Sequence, residues 1–211
     1  MKIDFVSDVS CPWCVIGLIA LEQALARVAG QVQAQLTFQP FELNPAMPPE
    51  GQDMAEHLQQ KYGSTPEQFQ GNRQMIRERG LALGFDFQMD RRNRVYNTFD
   101  AHRLLHWAEL QGRQLELKQA LFKAYFTDGQ SPASHDVLVA LAAQVGLDTD
   151  RARAILASDE FAADVRQQQR FYQQQGISSV PAVIINDRHL ISGGQPADVF
   201  EQALRQLAAA G

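Results

Sequence analysis

Long hydrophobic runs and basic segments are both missing from this chain of 211 residues. The apolar stretch at residues 15–21 ends at Glu22, whereas a membrane-spanning helix needs about 20 apolar residues in succession. The net charge is −5 and no segment is strongly basic, which makes nucleic acids and anionic membranes poor partners. We therefore expect a protein that binds neither nucleic acid nor a membrane.

A secretory signal is missing as well, because Asp4 stands among the first residues and no apolar core follows it. This pattern predicts a cytoplasmic protein. Cysteine is scarce: the chain has two, Cys11 and Cys14, and no second pair that would complete a four-cysteine zinc site. In the reducing cytoplasm, this spacing is more typical of a catalytic, redox-sensing or metal-binding site than of a permanent disulfide.

The two cysteines stand at the start of a predicted helix. Residues 3–7 have the pattern of a strand, and residues 11–29 that of a helix, which Ser10 or Cys11 would cap. The dipole and the free N–H groups at a helix N-terminus favour a thiolate at Cys11, while Cys14 lies one turn inside and would be shielded. The spacing therefore predicts Cys11 as the attacking thiolate and Cys14 as the resolving thiol of a disulfide exchange.

The middle of the chain predicts one strand and then a helical block. Residues 32–38 alternate between apolar and polar side chains, which indicates a strand at the edge of a sheet. Residues 53–175 show only helical signals, enough for roughly five or six helices. The helix starts that we predict are at Thr65, at Asn97 or Thr98, at Gln114, at Ser134 and at Ser158, the last opening a helix that ends at Gly176.

The final residues return to a sheet. Residues 182–185 are apolar on both faces, as in a central strand, and Asn186-Asp187 is a turn signal before a returning strand at 189–192 and a helix at 197–209. This order predicts an α/β, thioredoxin-like fold with a large all-helical insertion between β-α-β and β-β-α halves. The predicted domains are a discontinuous thioredoxin-like domain, residues 1–45 and 176–211, and a helical insertion domain, residues 46–175.

Val180 and Pro181 come directly before the predicted central strand. A cis bond at Pro181 would turn the backbone N–H and C=O of Val180 outward beside the cysteines, where a peptide or thiol substrate would pair with them. The alternative is an ordinary trans proline in a loop, and the two residues by themselves leave both interpretations open.

Taken together, the CPWC motif at residues 11–14, the helical block and Val180-Pro181 before a hairpin resemble the DsbA family of thiol–disulfide oxidoreductases, and in particular its cytosolic FrnE-like branch. The resemblance covers essentially the whole chain. It implies that Pro181 is cis and belongs to the catalytic site, and that Cys11 and Cys14 cycle between dithiol and disulfide. The candidate substrate-binding residues are Pro12, Trp13 and Val180.

One residue departs from the family pattern. Periplasmic DsbA-type enzymes carry a histidine where this chain has Trp13, and that histidine helps to hold the thiolate. Because Trp13 offers no charge, we expect the couple to be less oxidising than the periplasmic type. Asp8, Asn44 and His102 are candidate modulators of the site. Asp8 would exchange a proton with a thiol or raise a thiol pKa by repulsion, unless it simply caps a turn.

Other classes of function stay open. Kappa-class glutathione transferases and 2-hydroxychromene-2-carboxylate isomerases share this fold, but they usually carry serine in place of Cys11 and lack the second cysteine. A non-catalytic metal-binding or chaperone-like protein is a further alternative, with a zinc site drawn from Cys11, Cys14, His102 and His106 as one version. We expect no bound cofactor and no metal. The expected partners are protein thiols or small thiols such as glutathione, which is also a candidate co-substrate.

Overall fold

The computed structural model describes residues 1–48 and 50–210, so residues 49 and 211 of the predicted domain ranges lie outside the described residues. The elements in chain order are β1 (Lys2–Ser7), α1 (Pro12–Val28), β2 (Gln35–Pro40), β3 (Gln52–Asp53), α2 (Met54–Tyr62), α3 (Pro66–Ala82), β4 (Arg94–Val95), α4 (Phe99–Leu110), α5 (Gln114–Phe126), α6 (His135–Gln144), α7 (Thr149–Leu156), α8 (Ala162–Gln174), β5 (Ala182–Ile185), β6 (His189–Ser192) and α9 (Ala197–Ala210).

A four-stranded sheet with the order β2-β1-β5-β6 organises the fold. Strand β1 runs parallel to β2 and antiparallel to β5, so Phe5 lies opposite both Phe38 and Val183. Strands β5 and β6 form an antiparallel hairpin. Its turn residues Asn186 and Asp187 have φ angles of 53° and 56°, the left-handed region that Asn and Asp tolerate in tight hairpins. The predicted mixed topology is confirmed, with β2 at an edge and β5 inside the sheet.

The largest apolar cluster joins the sheet to helices from both parts of the chain. Phe5 of β1, Leu18 of α1 and Phe200 of α9 are fully or almost fully buried in it. Phe87 and Phe126, which belong to the predicted insertion, are buried in the same cluster. A second cluster consists mainly of residues from the helical block, among them Leu104, Trp107, Leu117 and Leu138, and also includes Val9 from the turn after β1. The division into two domains stays a prediction, and the described contacts show that the two parts share apolar packing.

The helical block differs from the prediction in its details. Seven helices, α2 to α8, lie in residues 53–175 rather than five or six. The prediction omitted α2 and α7, whose first turns are capped by the side chains of Asp53 and Asp148. Ser158 does not open α8, which begins after Phe161, a residue with φ 61°. The expectation of helical signals alone was also wrong, because β3 and β4 pair over two residues each, too few to produce a periodic pattern.

Strand β2 begins later than predicted, at Gln35 rather than residue 32. The reason is local: the N–H groups of Gln31 and Val32 both donate to the carbonyl of Val28 and extend the end of α1. Other predicted boundaries are confirmed. Thr65 forms a reciprocal capping box with Gln68, and the Ser134 side chain caps α6. Across residues 1–48 and 50–210, no helix has both the length and the hydrophobicity needed to cross a membrane.

Candidate active site

Cys11 occupies the N-cap position of α1, and Pro12 supplies the first residue of that helix. The Cys11 side chain makes no capping hydrogen bond. Its thiol instead donates toward the carbonyl oxygen of Val180, with an Sγ–O distance of 3.7 Å. Cys11 is only 3% exposed, yet it forms part of the wall of a large cavity. The sulfur therefore lies at the positive end of a 17-residue helix and beside open space.

Cys14 lies one turn inside α1 and is fully buried, as the spacing predicts. Both cysteines are free thiols in the structure. Burial raises the pKa of the Cys14 thiol well above its ordinary value, and the neighbouring Cys11 raises it further. A thiol in this position stays protonated while Cys11 faces the cavity, so the two cysteines are placed in chemically different environments.

The segment before β5 forms the second wall beside Cys11. The Val180–Pro181 peptide bond is cis, and Pro181 is buried against α1. A Cβ atom at Gly17 of α1 would lie 3.1 Å from Cγ of Pro181, and one at Gly194 would lie 2.9 Å from the carbonyl oxygen of Trp13. Glycine at these two positions therefore lets the segments around Pro181 and Gly194 approach the cysteine helix closely.

A cavity of about 760 Å³ opens beside Cys11. Its wall includes Pro12, Trp13, Asn44 and Val180 of the predicted site residues, together with apolar side chains from α2 and α3. Cys14, Pro181, Asp8 and His102 do not line it. Trp13 is half-buried. The structure thus brings Cys11, Asn44 and the predicted substrate-binding residues to one surface, and the other four predicted residues lie outside that surface.

Cationic groups border the cavity. The Arg79 guanidinium lies over the Trp13 ring, 5.1 Å from its centroid. Lys61 donates a hydrogen bond of 2.8 Å to Oδ1 of Asn44, which fixes the predicted modulator at the rim. Arg92 lies over the rings of Tyr125 and Phe126 and donates a 3.3 Å hydrogen bond to the carbonyl oxygen of Ser10.

Asp8 lies beneath the cysteine helix, where it caps the turn between β1 and α1. Its carboxylate accepts hydrogen bonds from the N–H groups of Ser10, at 3.3 Å, and Leu43, at 2.7 Å. Nε2 of the buried His102 lies 3.5 Å from Oδ1 of Asp8. Burial alone would raise the pKa of Asp8, but His102 and the donated hydrogen bonds outweigh that effect and hold it below its ordinary value. Asp8 and His102 therefore form one buried pair.

Several residues at the site were not predicted. Lys118 of α5 is fully buried close to the cysteines, and no pattern in the sequence distinguishes it from an exposed lysine. Arg92 follows another arginine in a segment without regular structure. Gly17 could have been found, since a glycine inside an apolar helix usually has a packing reason.

The alternative zinc site does not assemble. Across the part of the chain that the structure describes, no three His, Cys, Asp or Glu side chains cluster as metal ligands would. His102 faces Asp8, and the ring of His106 lies 5.1 Å from that of Phe161. The arrangement therefore offers two thiols in unlike environments beside a cavity.

Comparison with known proteins agrees with this chemistry. The profile of the DSBA-like thioredoxin domain matches residues 2–205. The structure of the probable DsbA oxidoreductase SCO1869 from Streptomyces coelicolor is similar, with a TM-score of 0.92 and 35% identity over 100% of this chain and 90% of that one. The cytosolic disulfide reductase DsbM from Pseudomonas aeruginosa, solved with GSH, shares the fold, with a TM-score of 0.68 and 19% identity over 98% of this chain and 99% of that one.

The protein YwbO from Bacillus subtilis is 29% identical to this chain over 200 residues, which are 94% of this chain and 92% of YwbO. The similarity therefore extends over nearly the whole length of both proteins. The match to the family profile likewise includes both the cysteine motif and the segment around Pro181. This chain belongs to the DSBA-like thioredoxin domain family of thiol–disulfide oxidoreductases.

Proposed function

We propose that this chain is a thiol–disulfide oxidoreductase in which Cys11 and Cys14 cycle between dithiol and disulfide on protein or small-thiol substrates. One observation carries the proposal: the Cys11 thiol lies at the N-cap of α1 in a cavity wall, while Cys14 is buried one turn later. Only one of the two sulfurs is then accessible to a substrate, which is the asymmetry that exchange through a mixed disulfide requires.

The proposed reaction uses each sulfur once. The Cys11 thiolate attacks a disulfide sulfur of the substrate, and the other substrate sulfur leaves as a thiolate and takes up a proton. Cys14 then attacks Sγ of Cys11, forms the Cys11–Cys14 disulfide and releases the second substrate sulfur as a thiolate. Because burial raises the pKa of Cys14, this thiol stays protonated and does not compete with Cys11 for the first attack. Oxidation of a substrate dithiol is the reverse sequence.

The substrate would lie along the cavity wall that Pro12, Trp13 and Val180 form. The Val180 carbonyl, 3.7 Å from Sγ of Cys11, would accept a hydrogen bond from a backbone N–H of an extended substrate. Trp13 offers an apolar surface on the other side of Cys11. These residues would hold the substrate disulfide in line with the attacking sulfur, which is the main contribution that positioning makes to such a reaction.

Glutathione as a co-substrate belongs to the same proposal. The cavity volume of about 760 Å³ suits a small anionic thiol, and Lys61, Arg73 and Arg92 line it. Glu42 also lines it; its Oε2 accepts hydrogen bonds from Arg166 and Gln169, whereas its buried Oε1 has no hydrogen-bond partner among the described residues. A glutathione complex is known for the DsbM structure, which shares the fold. A cytoplasmic location, where glutathione is abundant, completes the proposal.

Reduction of insulin by dithiothreitol, with and without the protein, tests this function. We expect the wild-type protein to accelerate the reaction, and Cys11→Ser to abolish the acceleration because it removes the attacking sulfur. Cys14→Ser is the matched control, since it makes the same chemical change one turn away. It should trap a mixed disulfide on Cys11 that mass spectrometry detects.

An inactive wild-type protein from which no Cys11–Cys14 disulfide can be prepared would contradict the proposal. Transferase or isomerase activity with glutathione that survives the loss of both cysteines would favour the alternative of a kappa-like enzyme.

A further inference from the structure

Glu42 places a buried carboxylate in the wall of the cavity beside Cys11, and its side chain is only 2% exposed. Its Oε2 atom accepts hydrogen bonds from Arg166 and, at 2.9 Å, from Gln169. Its Oε1 atom has no hydrogen-bond partner within residues 1–48 and 50–210. A buried carboxylate oxygen without a donor has lost its contact with water and gained nothing in return. The ion pair with Arg166 therefore explains one of the two oxygens and not the other.

The partners of Oε2 lie outside the cavity wall. Arg166 and Gln169 both belong to α8, and neither lines the cavity. The Arg166 guanidinium lies on the ring of Phe99, 3.7 Å from its centroid, and also donates a 2.9 Å hydrogen bond to Oε1 of Gln169. The three polar side chains form a closed set of hydrogen bonds, which fixes the Glu42 carboxylate and leaves its Oε1 as the free acceptor.

The segment that carries Glu42 is attached to both sides of the candidate active site. The N–H group of Leu43 donates a 2.7 Å hydrogen bond to the Asp8 carboxylate, in the turn that leads to the cysteine helix. The Phe41 side chain packs against the same small apolar cluster as Val180. Glu42 therefore lies next to the edge where the backbone of a substrate would bind.

The charges around the cavity are mixed. Glu42 is the single carboxylate among the described residues that line it, whereas Lys61, Arg73 and Arg92 contribute positive charges. Arg73 is paired with Asp90 at 2.7 Å, but Nε of Arg92 is buried and has no partner among the described residues. The wall thus offers an unused acceptor as well as an unused donor. This combination suits a ligand that carries an ammonium group together with carboxylates.

We propose that Oε1 of Glu42 binds the α-ammonium group of a small peptide thiol of the glutathione type, and that this contact selects such disulfides as substrates. The inference rests on the proposed thiol–disulfide exchange and specifies its small-thiol substrate. The ammonium group donates the hydrogen bond that Oε1 lacks, while Arg166 and Gln169 stay on Oε2. The carboxylates of the same ligand face the cations of the cavity. Glu42 is a specificity-determining residue and takes no part in the exchange of sulfur bonds.

Oxidation of the reduced wild-type protein by two matched disulfides tests the contact from the side of the substrate. One is glutathione disulfide, and the other is desamino-glutathione disulfide, in which hydrogen replaces the α-ammonium group. Their rates with dithiothreitol correct for intrinsic reactivity. After this correction we expect glutathione disulfide to react roughly ten to a hundred times faster, the range that a hydrogen bond between charged groups supplies.

Glu42→Gln tests the contact from the side of the protein. Its amide oxygen can still accept the hydrogen bonds from α8, but an NH₂ group then replaces Oε1 and repels an ammonium group. We expect this variant to lose most of the preference for glutathione disulfide. Glu22→Gln is the matched control and should keep the preference. Glu22 lies outside the cavity wall in α1, and it also accepts a hydrogen bond from a glutamine, Gln119, at 2.7 Å.

Calorimetry with S-methylglutathione and its desamino form measures binding without any exchange of sulfur bonds. The wild-type protein should bind the form with the ammonium group more tightly, by about the factor seen in the rates, a hydrogen bond between charged groups being the cause in both. Glu42→Gln should bind the two forms with similar affinity.

Equal corrected rates and equal affinities for the two forms in the wild-type protein would overturn the role of Glu42, even if Glu42→Gln does not fold. A preference for lysine-flanked disulfide peptides without one for glutathione disulfide would overturn it too, because the carboxylate would then serve a protein substrate. If Cys11→Ser still abolishes insulin reduction in these cases, the proposed function stands. If the wild-type protein does not reduce insulin at all, the proposed function fails, and calorimetry still decides whether Glu42 binds the ammonium group.

Discussion

At the scale of single residues, the site is defined by the different surroundings of two chemically identical side chains. Cys11 borders a cavity and faces the Val180 carbonyl, whereas Cys14 is fully buried and its pKa is raised. The neighbours decide this difference, and two of them, Trp13 and Lys118, lead to predictions at this scale.

Trp13→His is expected to make the Cys11–Cys14 couple more oxidising. A protonated imidazole next to Cys11 would stabilise the thiolate of the reduced form, which Trp13 cannot do because it carries no charge. Each 1.4 kcal/mol of stabilisation raises the potential by about 30 mV. Equilibration with glutathione buffers measures the potential, and Trp13→Phe controls for the lost indole. Equal potentials for the histidine and phenylalanine variants would contradict this account.

Lys118→Met is expected to increase the free energy of unfolding near neutral pH. Burial lowers the folded-state pKa of Lys118 to about 8 from 10.5, so the folded state carries a cost that is fully present below pH 8. That cost disappears as the pH rises from about 8 to 10.5, since the lysine then loses its proton in the unfolded state as well. At 1.36 kcal/mol for each pKa unit, the expected gain is about 3 kcal/mol.

Urea unfolding at several pH values measures the stability effect, and the advantage of the variant should shrink above pH 8. A variant that gains stability near pH 7 and loses this advantage above pH 8 would show that the charged form of the buried lysine costs folding free energy. A variant that loses stability at every pH would contradict the pKa argument.

At the scale of elements, two helices show how close approach constrains sequence. Helix α1 is crossed by the segments around Pro181 and Gly194, and Gly17 leaves room for both. Helix α3, which contributes to the cavity wall, contains two glycines in different surroundings. Gly71 is exposed, and a Cβ there would have no neighbouring atom within 4 Å, whereas a Cβ at Gly80 would lie 2.2 Å from Cδ2 of the buried Phe87.

The same substitution at these two glycines should therefore have opposite effects. Gly71→Ala is expected to stabilise the protein by about 0.5–1 kcal/mol, because alanine restricts the unfolded chain and favours the helix. Gly80→Ala is expected to destabilise it by about 1–3 kcal/mol, because Phe87 must move out of a packed core. Chemical denaturation measures both variants. Two changes of the same sign would show that helix propensity, and not the Phe87 contact, governs this helix.

At the scale of the whole molecule, the helical block and the thioredoxin-like part share apolar packing. Phe87 and Phe126 from the block are buried with Phe5 and Leu18 in one cluster. The cavity has the same composite character, with Cys11 and Val180 on one side and side chains of α2 and α3 on the other. The shape of the cavity, and with it the proposed substrate surface, therefore depends on how the block packs against the cysteine helix.

The shared core leads us to expect a single unfolding transition. Trp13 lies in α1 and Trp107 in α4, so each predicted domain carries one fluorescent reporter. In each of the variants Trp13→Phe and Trp107→Phe, the fluorescence of the remaining tryptophan should give the same denaturation midpoint as the circular dichroism of that variant. Midpoints that differ between fluorescence and circular dichroism would show that the two predicted domains unfold separately.

The sequence by itself determined the elements whose signals are local. The CPWC motif, the apolar run of β5, the Asn186-Asp187 turn and the Thr65 capping box depend on neighbours within a few residues, so spacing and residue type sufficed to predict them. Elements without a local signal were missed. Strands β3 and β4 are too short to show a periodic pattern, and the start of β2 is shifted because hydrogen bonds to the Val28 carbonyl extend the end of α1.

Tertiary structure alone decided what surrounds the two sulfurs. Lys118 lies more than a hundred positions after the cysteines in the chain, and no sequence period distinguishes it from the exposed Lys123 in the same helix. Desolvation and Coulomb interactions depend on distance in space, and the packing of α5 against β2 and the core creates the buried environment that Lys118, Asp8 and Cys14 share. The sequence therefore predicted which two sulfurs form the candidate redox pair, and the packing decided which charged groups surround them.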